Sequence, residues 1–293
     1  MKAPETGIYP GIEYEEYNEW EAVRHSNLFI LEEGTLAHYR YTVDHPEEFD
    51  SGAFRTGHAG HTAVLEPSEF SQRYVCKPDT YTNEKGEEKK FNANSKVCKQ
   101  ILETLAASGK TILSTAEYQQ ALACGAACQK KEMLRLLIDK GVPEVCLVWT
   151  DEKTGMKCKA RVDLLINNSL ILDLKTSAFP VNVRRFGSSA ARYGYPSQLA
   201  YYWTGLKQIT EQEPELPLFA AIEKSMVEKI GPGAVAVYQL GKEDMEVGRC
   251  QNEYFLERIQ KAEEVGEWPG YPDEEISDLV LPGWYGQALN PAE

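Results

Sequence analysis

Between residues 95 and 141 the apolar positions recur at helical spacing. Within that stretch Ser114-Thr115-Ala116-Glu117 has the form of a capping box, which predicts a helix start there and a run towards Lys140. Gly141 and Pro143 then stop it. The pattern changes in the centre of the chain, where residues 145–149, 158–166 and 170–174 are short apolar or alternating runs that predict strands. Thr154-Gly155 and Asn167-Asn168 supply the turns between them. Three strands with tight connections form an antiparallel meander most simply, and the segment after Tyr195 reads as a helix packing on it. Two further strands are expected at 218–223 and 234–240. A last helix over about 242–265 places Phe255, Ile259 and Ala262 on one face, the spacing of core packing. The expected fold class is therefore α/β (α+β), a central mixed β-sheet with an antiparallel meander core flanked by helices.

The chain, 1–293, reads as a single domain. Residues 1–50 are a helical or irregular N-terminal portion, and the charged, polar stretch 77–94 around Glu84-Lys85-Gly86 reads as a surface loop. In 266–293, Trp268-Pro269-Gly270-Tyr271 and Leu281-Pro282-Gly283-Trp284 are too rich in Pro and Gly for regular structure and too aromatic for a free tail. That segment is expected to wrap back onto the body.

A hydrophobic content of 42% with charge spread along the chain marks a folded protein and not a disordered one. There is no long apolar run and no signal-peptide layout at the start, so a cytoplasmic protein with no membrane partner is expected. Seven cysteines at spacings that suggest no disulfide framework fit a reducing compartment and read as small core residues. The formal charge of −14 argues at first sight against a nucleic-acid partner. It is not decisive, because acidic residues around a divalent metal add to it and net charge says nothing of where the basic residues lie. Local basic clusters occur at Lys89-Lys90 with Lys96 and Lys99, at Lys130-Lys131 with Arg135, and at Arg184-Arg185 with Arg192.

The candidate chemistry lies in the meander. Asp163 is followed ten positions later by Asp173-Leu174-Lys175. Residues two apart on a strand share a face, so Asp173 and Lys175 project side by side, and a hairpin at Asn167-Asn168 can bring Asp163 alongside. Such a pocket suits Mg²⁺, with Mn²⁺ as a substitute. Phosphodiester hydrolysis needs a hard cation to neutralise developing charge and to lower the pKa of an attacking water. The lysine can orient that water, help deprotonate it, or stabilise the transition state. The bland alternative is a surface ion pair on an edge strand, since Asp-x-Lys is frequent by chance. Against it, Leu170-Ile171-Leu172 runs directly into Asp173, which places a charge at the end of a strand that looks buried.

With these residues the chain resembles the PD-(D/E)XK nuclease fold, and more closely the RecE-like exonucleases of phages and prophages. Gly57-His58-Ala59-Gly60-His61 ahead of Leu65-Glu66-Pro67 is similar to that family's Gly-x-Ala-x-His motif, which implies that His61 binds metal, with His58 as its competitor. Pro143-Glu144-Val145 resembles the segment where the family has an acidic residue entering its first core strand, although Glu144 also reads as a plain connector carboxylate. Gln198-Leu199-Ala200-Tyr201 is similar to the family's Gln-x-x-Tyr motif, whose residues lie one helical turn apart and can contact the DNA backbone or support the site. Arg161 reads equally as a phosphate contact or as a satisfied strand arginine. Arg24-His25-Ser26-Asn27-Leu28 and Leu36-Ala37-His38-Tyr39-Arg40 match the family's N-terminal elements only loosely.

The resemblance implies a Mg²⁺-dependent exonuclease that degrades one strand of double-stranded DNA from its ends, 5′ to 3′, leaving a 3′ single-stranded tail for recombination. Asp163, Asp173, His61 and the carbonyl of Leu174 would hold the metal, Lys175 would act on the water, and Glu144 would assist catalysis. It also implies a homo-oligomeric ring and a single-strand annealing protein as partner. A structure-specific or single-strand-preferring endonuclease shares the same metal site, and a catalytically inactive DNA-binding or assembly protein would keep the same fold. Some related nucleases hold an iron–sulfur cluster with four cysteines, but Cys124 and Cys128 lack the usual spacing of partners and read as core.

Overall fold

The computed structural model describes residues 1–46, 52–83, 85–272, 276 and 278–281. The Glu84 of the expected loop and the Pro282-Gly283-Trp284 of the expected wrap lie outside the described residues.

The meander is present, and its strands are longer than their apolar runs. Strands β1 (Gly7–Tyr9), β2 (Gly141–Thr150), β3 (Lys157–Ile166), β4 (Leu170–Ser177), β5 (Leu218–Glu223) and β6 (Val235–Gln239) form one sheet in that order. Neighbours are antiparallel except β4 and β5, which pair in parallel. A parallel pair needs a crossover. Helices α3 (Val183–Arg192) and α4 (Tyr195–Thr210) supply it. Between β3 and β4, Asn167 and Asn168 both adopt a left-handed φ of 52°, which asparagine tolerates, and Ser169 N–H closes the turn on Ile166 O at 3.0 Å.

Both faces of the sheet are covered. On one, Leu199, Tyr201 and Leu206 of α4 and Phe255, Leu256 and Ile259 of α5 (Lys242–Val265) pack on Val145, Leu147 and Trp149. The contact is close enough that a β-carbon on Gly205 would stand 2.6 Å from the Trp149 ring, so this position excludes a side chain. On the other face, Val64 and Leu65 of α1 (Gly52–Leu65) and Cys124, Ala127 and Cys128 of α2 (Thr115–Gln129) pack on Leu164, Leu172, Leu174 and Ile222. Five of the seven cysteines are buried, and all seven are unpaired.

The expected capping box forms: Ser114 Oγ accepts from Glu117 N–H, and the Glu117 carboxylate accepts from Ser114 N–H at 2.8 Å. The helix does not continue to Lys140. It ends at Gln129, and a second helix, Glu132–Lys140, follows. Lys131 between them is extended, with its ammonium donating to the carbonyls of Pro232 and Val235, so a tertiary contact breaks a pattern that locally reads as continuous. Earlier in the same stretch, Thr111–Leu113 forms a short strand parallel to Tyr74–Cys76.

Residues 77–94 are more than a loop. Thr80–Thr82 and Glu88–Lys90 make a small hairpin, with the Asn83 side chain accepting from Lys85 N–H and Glu87 N–H, both at 2.9 Å. The N-terminal portion contributes an edge strand, β1, that no periodicity announced, because three residues carry none. Trp268 stacks on Tyr39 with ring centroids 5.8 Å apart, and Ala37 N–H donates to Pro269 O at 3.1 Å.

Candidate active site

The site is built at a fork in the sheet. Strands β3 and β4 pair only next to their turn, at Leu164↔Leu172, Leu165↔Ile171 and Ile166↔Leu170. One step further that register sets Asp163 opposite Asp173, and there the ladder ends. In its place Asp163 Oδ2 accepts the N–H of Leu174 at 2.7 Å, so a carboxylate fills the opening between the strands and satisfies a backbone donor. Strand β4 meanwhile keeps its parallel pairing with β5 as far as Ser177↔Glu223, which holds Asp173 and Lys175 on a firm backbone.

On its other side β3 sets Asp163 opposite Glu144, between the pairs Pro143↔Leu164 and Val145↔Val162. Residues directly opposite share a face. Glu144 has φ 54°, a left-handed value that costs a non-glycine residue about 1 kcal/mol or more and that breaks the ladder where the two carboxylates meet. His61 comes from α1, which lies so near β4 that a β-carbon on Gly60 would touch Thr176 Cγ2 at 3.5 Å. The ligand atoms of His61, Glu144 and Asp163 all lie within 4.8 Å of one another, with His61 Nδ1 3.6 Å from Asp163 Oδ2.

Asp173 lies outside that cluster and turns to Lys175, Nζ to Oδ2 2.8 Å. The contact is an ion pair off hydrogen-bond geometry, so this buried oxygen has no aligned donor among the described residues. Lys175 Nζ donates to Gln198 Oε1 at 2.9 Å and sits 4.5 Å from the centre of the Tyr195 ring. Gln198 Nε2 in turn donates to Tyr202 Oη at 2.8 Å. Arg161 pairs with Glu144, Nε to Oε2 2.9 Å, and lies over the Tyr14 ring.

Burial sets the charge states. It pushes Asp173 up to about 6 against the pull of Lys175, and raises Asp163 as well. Glu144 is pushed up to about 7, by burial first and then by the Asp163 charge, with Arg161 opposing. His61 is held down at about 4, by burial and then by Lys175, so its ring is neutral. For Lys175 burial acts downwards, but the two aspartates outweigh it and keep the ammonium above its ordinary value. Carboxylates crowded beside a neutral imidazole in a half-buried pocket are a donor set that fits a divalent cation, which would let the acids ionise together.

Of the residues singled out in the sequence, the fold thus gathers Asp163, Glu144 and His61 into one cluster and Asp173, Lys175 and Gln198 beside it. Tyr201 goes elsewhere: it is buried, and its hydroxyl donates to Val23 O at 2.8 Å on the core side of α4. The tyrosine that meets Gln198 is Tyr202, four residues on, and Tyr195 lies three residues before it. Helical spacing alone, applied to both sides of Gln198, would have found these two. His58 lies near His61 and is likewise lowered to about 4, by burial first.

No curated protein matches the chain significantly. Among solved structures, a candidate exonuclease from Eubacterium rectale superimposes with a TM-score of 0.59 over 94% of this chain and 98% of its own, at 16% identity, a likeness of fold. A phage-related exonuclease from Haemophilus somnus 129PT is 11% identical with a TM-score of 0.32, over 59% of this chain and 85% of its own, too distant to carry an argument. Residues 28–277 match the family described as PDDEXK-like domain of unknown function (DUF3799). That match spans most of the chain and contains every residue of the fork, so the protein belongs to this PDDEXK-like family and, through it, to the PD-(D/E)XK superfamily.

Proposed function

We propose that the protein is a metal-dependent deoxyribonuclease that hydrolyses double-stranded DNA from its ends, 5′ to 3′, in the manner of the RecE-like exonucleases. The observation that supports a metal-dependent nuclease is the meeting of His61, Glu144 and Asp163 within 4.8 Å at the sheet fork, with Lys175 and Asp173 next to them, while end dependence and polarity follow from the resemblance alone. His61, Glu144 and Asp163 would hold Mg²⁺ or Mn²⁺, with Asp173 and the Leu174 carbonyl at its border. The bound ion supplies charge neutralisation at the phosphate and a water of lowered pKa.

The chain's own groups do the rest. In the metal-free protein Lys175 is kept protonated by its two aspartates, and a positive charge there fits a donor that orients the attacking water or meets the developing negative charge. Gln198, anchored by Tyr202, fixes the direction of that ammonium. Arg161 keeps Glu144 turned towards Asp163. By the same resemblance the active form is a closed oligomer, and a single-strand annealing protein takes over the product.

A time course on linear duplex labelled separately at each 5′ and 3′ end, run beside closed circular duplex with and without Mg²⁺, tests the reading. Metal-dependent loss of 5′ label from linear DNA alone is expected. Nicking of the circle would make the protein an endonuclease, and binding without cleavage would make it a DNA-binding relative that keeps the fold.

A further inference from the structure

The acidic residues are unevenly placed. The sequence has 45 of them in 293 residues, yet none occurs from Leu174 to Thr210, where Lys175, Arg184, Arg185, Arg192 and Lys207 fall. Three of these five stand on α3, the first helix of the crossover that leaves the site. Phe186 and Ala190 bury one side of α3, and Arg184, Arg185 and Arg192 are exposed. Among the described residues none of these three forms an ion pair. Two of them instead lie over aromatic rings that are themselves open to solvent: Arg185 over Phe179 at 5.3 Å and Arg192 over Tyr193 at 5.9 Å, the rings being 58% and 56% exposed.

This surface connects to the candidate site by direct contact. Tyr193 stacks on Tyr195, ring centroids 5.9 Å apart, and Tyr195 carries the Lys175 ammonium on its face at 4.5 Å. Arg192, Tyr193, Tyr195 and Lys175 thus run from the outer surface into the fork. Guanidinium groups without carboxylate partners attract phosphates, and exposed rings offer a platform on which bases stack. A duplex keeps its base faces covered, so exposed rings beside cations suit an unpaired strand better than a paired one.

We propose that Arg184, Arg185 and Arg192 with Tyr193 and Phe179 form a binding surface for single-stranded DNA that leads a strand to or from the fork. This rests on the nuclease reading and extends it, because it names the strand that α3 holds. It also reconciles the charge of −14 with a polyanionic ligand, since the acids are excluded from the stretch that would meet it.

The test is fluorescence anisotropy of the full-length protein with a labelled single strand, a tailed duplex and a blunt duplex, in EDTA and across a salt series. Three variants are compared with the wild type: Arg184→Gln/Arg185→Gln/Arg192→Gln, Tyr193→Ala, and Lys89→Gln/Lys90→Gln/Lys96→Gln, which removes equal charge from another basic cluster. The arginine variant is expected to bind the single strand and the tailed duplex at least about tenfold more weakly, with a salt slope shallower by about 2. Tyr193→Ala is expected to lose about tenfold on those two ligands and little on the blunt duplex. The lysine variant is expected to bind nearly as the wild type does.

Circular dichroism, with an Arg→Lys triple variant that keeps the salt slope, shows that the helix is intact. Unchanged affinity and slope in the arginine variant would overturn the proposal while leaving nuclease activity untouched. An equal loss in the lysine variant would overturn it too, by making net charge the cause. A wild type that neither binds nor cleaves DNA would remove the nuclease reading itself, and the surface with it.

Discussion

At the scale of the residue, the site is governed by what burial does to charge. Lys175 is the cation that buried Asp173 and half-buried Asp163 share, and its loss leaves Asp173 without compensation. Lys175→Ala is expected to lower the cleavage rate by about a hundredfold or more, with an unchanged circular dichroism spectrum. Turnover equal to the wild type would remove Lys175 from the mechanism. Glu144 gives a prediction in pH. Its folded pKa is raised from 4.5 to about 7, so in the metal-free protein it holds its proton more tightly than in the unfolded chain. Its contribution to stability is therefore full below its ordinary pKa and lost as pH rises through about 7. His25, His58 and His61, all lowered by burial, act in the opposite sense below the usual histidine range, so the clean measure is a difference. In urea titrations with EDTA, the stability of the wild type relative to Glu144→Gln should fall between about pH 5 and pH 8, and millimolar Mg²⁺ should reverse the fall. A difference that stays flat with pH would mean that Glu144 is ionised throughout.

At the scale of the element, the fork turns an ordinary meander into a pocket. The pairs next to the Asn167-Asn168 turn set the register, and that register brings Asp163 opposite both Asp173 and Glu144. The left-handed backbone at Glu144 accompanies this arrangement. Glu144→Gly is accordingly expected to be more stable than Glu144→Ala by about 1 kcal/mol in chemical denaturation, although both remove the carboxylate. The reverse order would mean that the strand relaxes once the glutamate is gone. On the opposite face the helix layer is set by close approach, and Gly205→Ala should cost about 1–3 kcal/mol by driving a methyl group into the Trp149 ring. The metal cluster lies away from that contact, so activity per folded molecule should persist.

At the scale of the whole molecule, the two helical layers bring α1 and α4 to the same end of β4, so that His61 and Gln198 reach one fork from segments far apart in the chain. If the active form is a closed oligomer, light scattering on the purified protein should give a mass well above the 33.0 kDa of one chain. A mass of one chain at working concentration would set the ring aside without touching the metal site. Strands β2 to β6, the hairpin that aligns Asp163 with Asp173, the capping box at Ser114 and the apolar face of α5 were legible in the sequence, because each depends on contacts between near neighbours or on a simple period. Motif resemblance added His61, Glu144 and Gln198. The break at Lys131, the edge strand β1, the buried position of Tyr201 and the close approach of Glu144 to His61 and Asp163 were not legible. Each is decided by a partner more than a hundred residues away or by a backbone angle, and neither leaves a period. The sequence by itself determined which residues are chemically able to hold a metal and which strands carry them. Only the tertiary structure decided which of them meet, because a side chain's neighbours across a sheet fork depend on where two strands stop pairing.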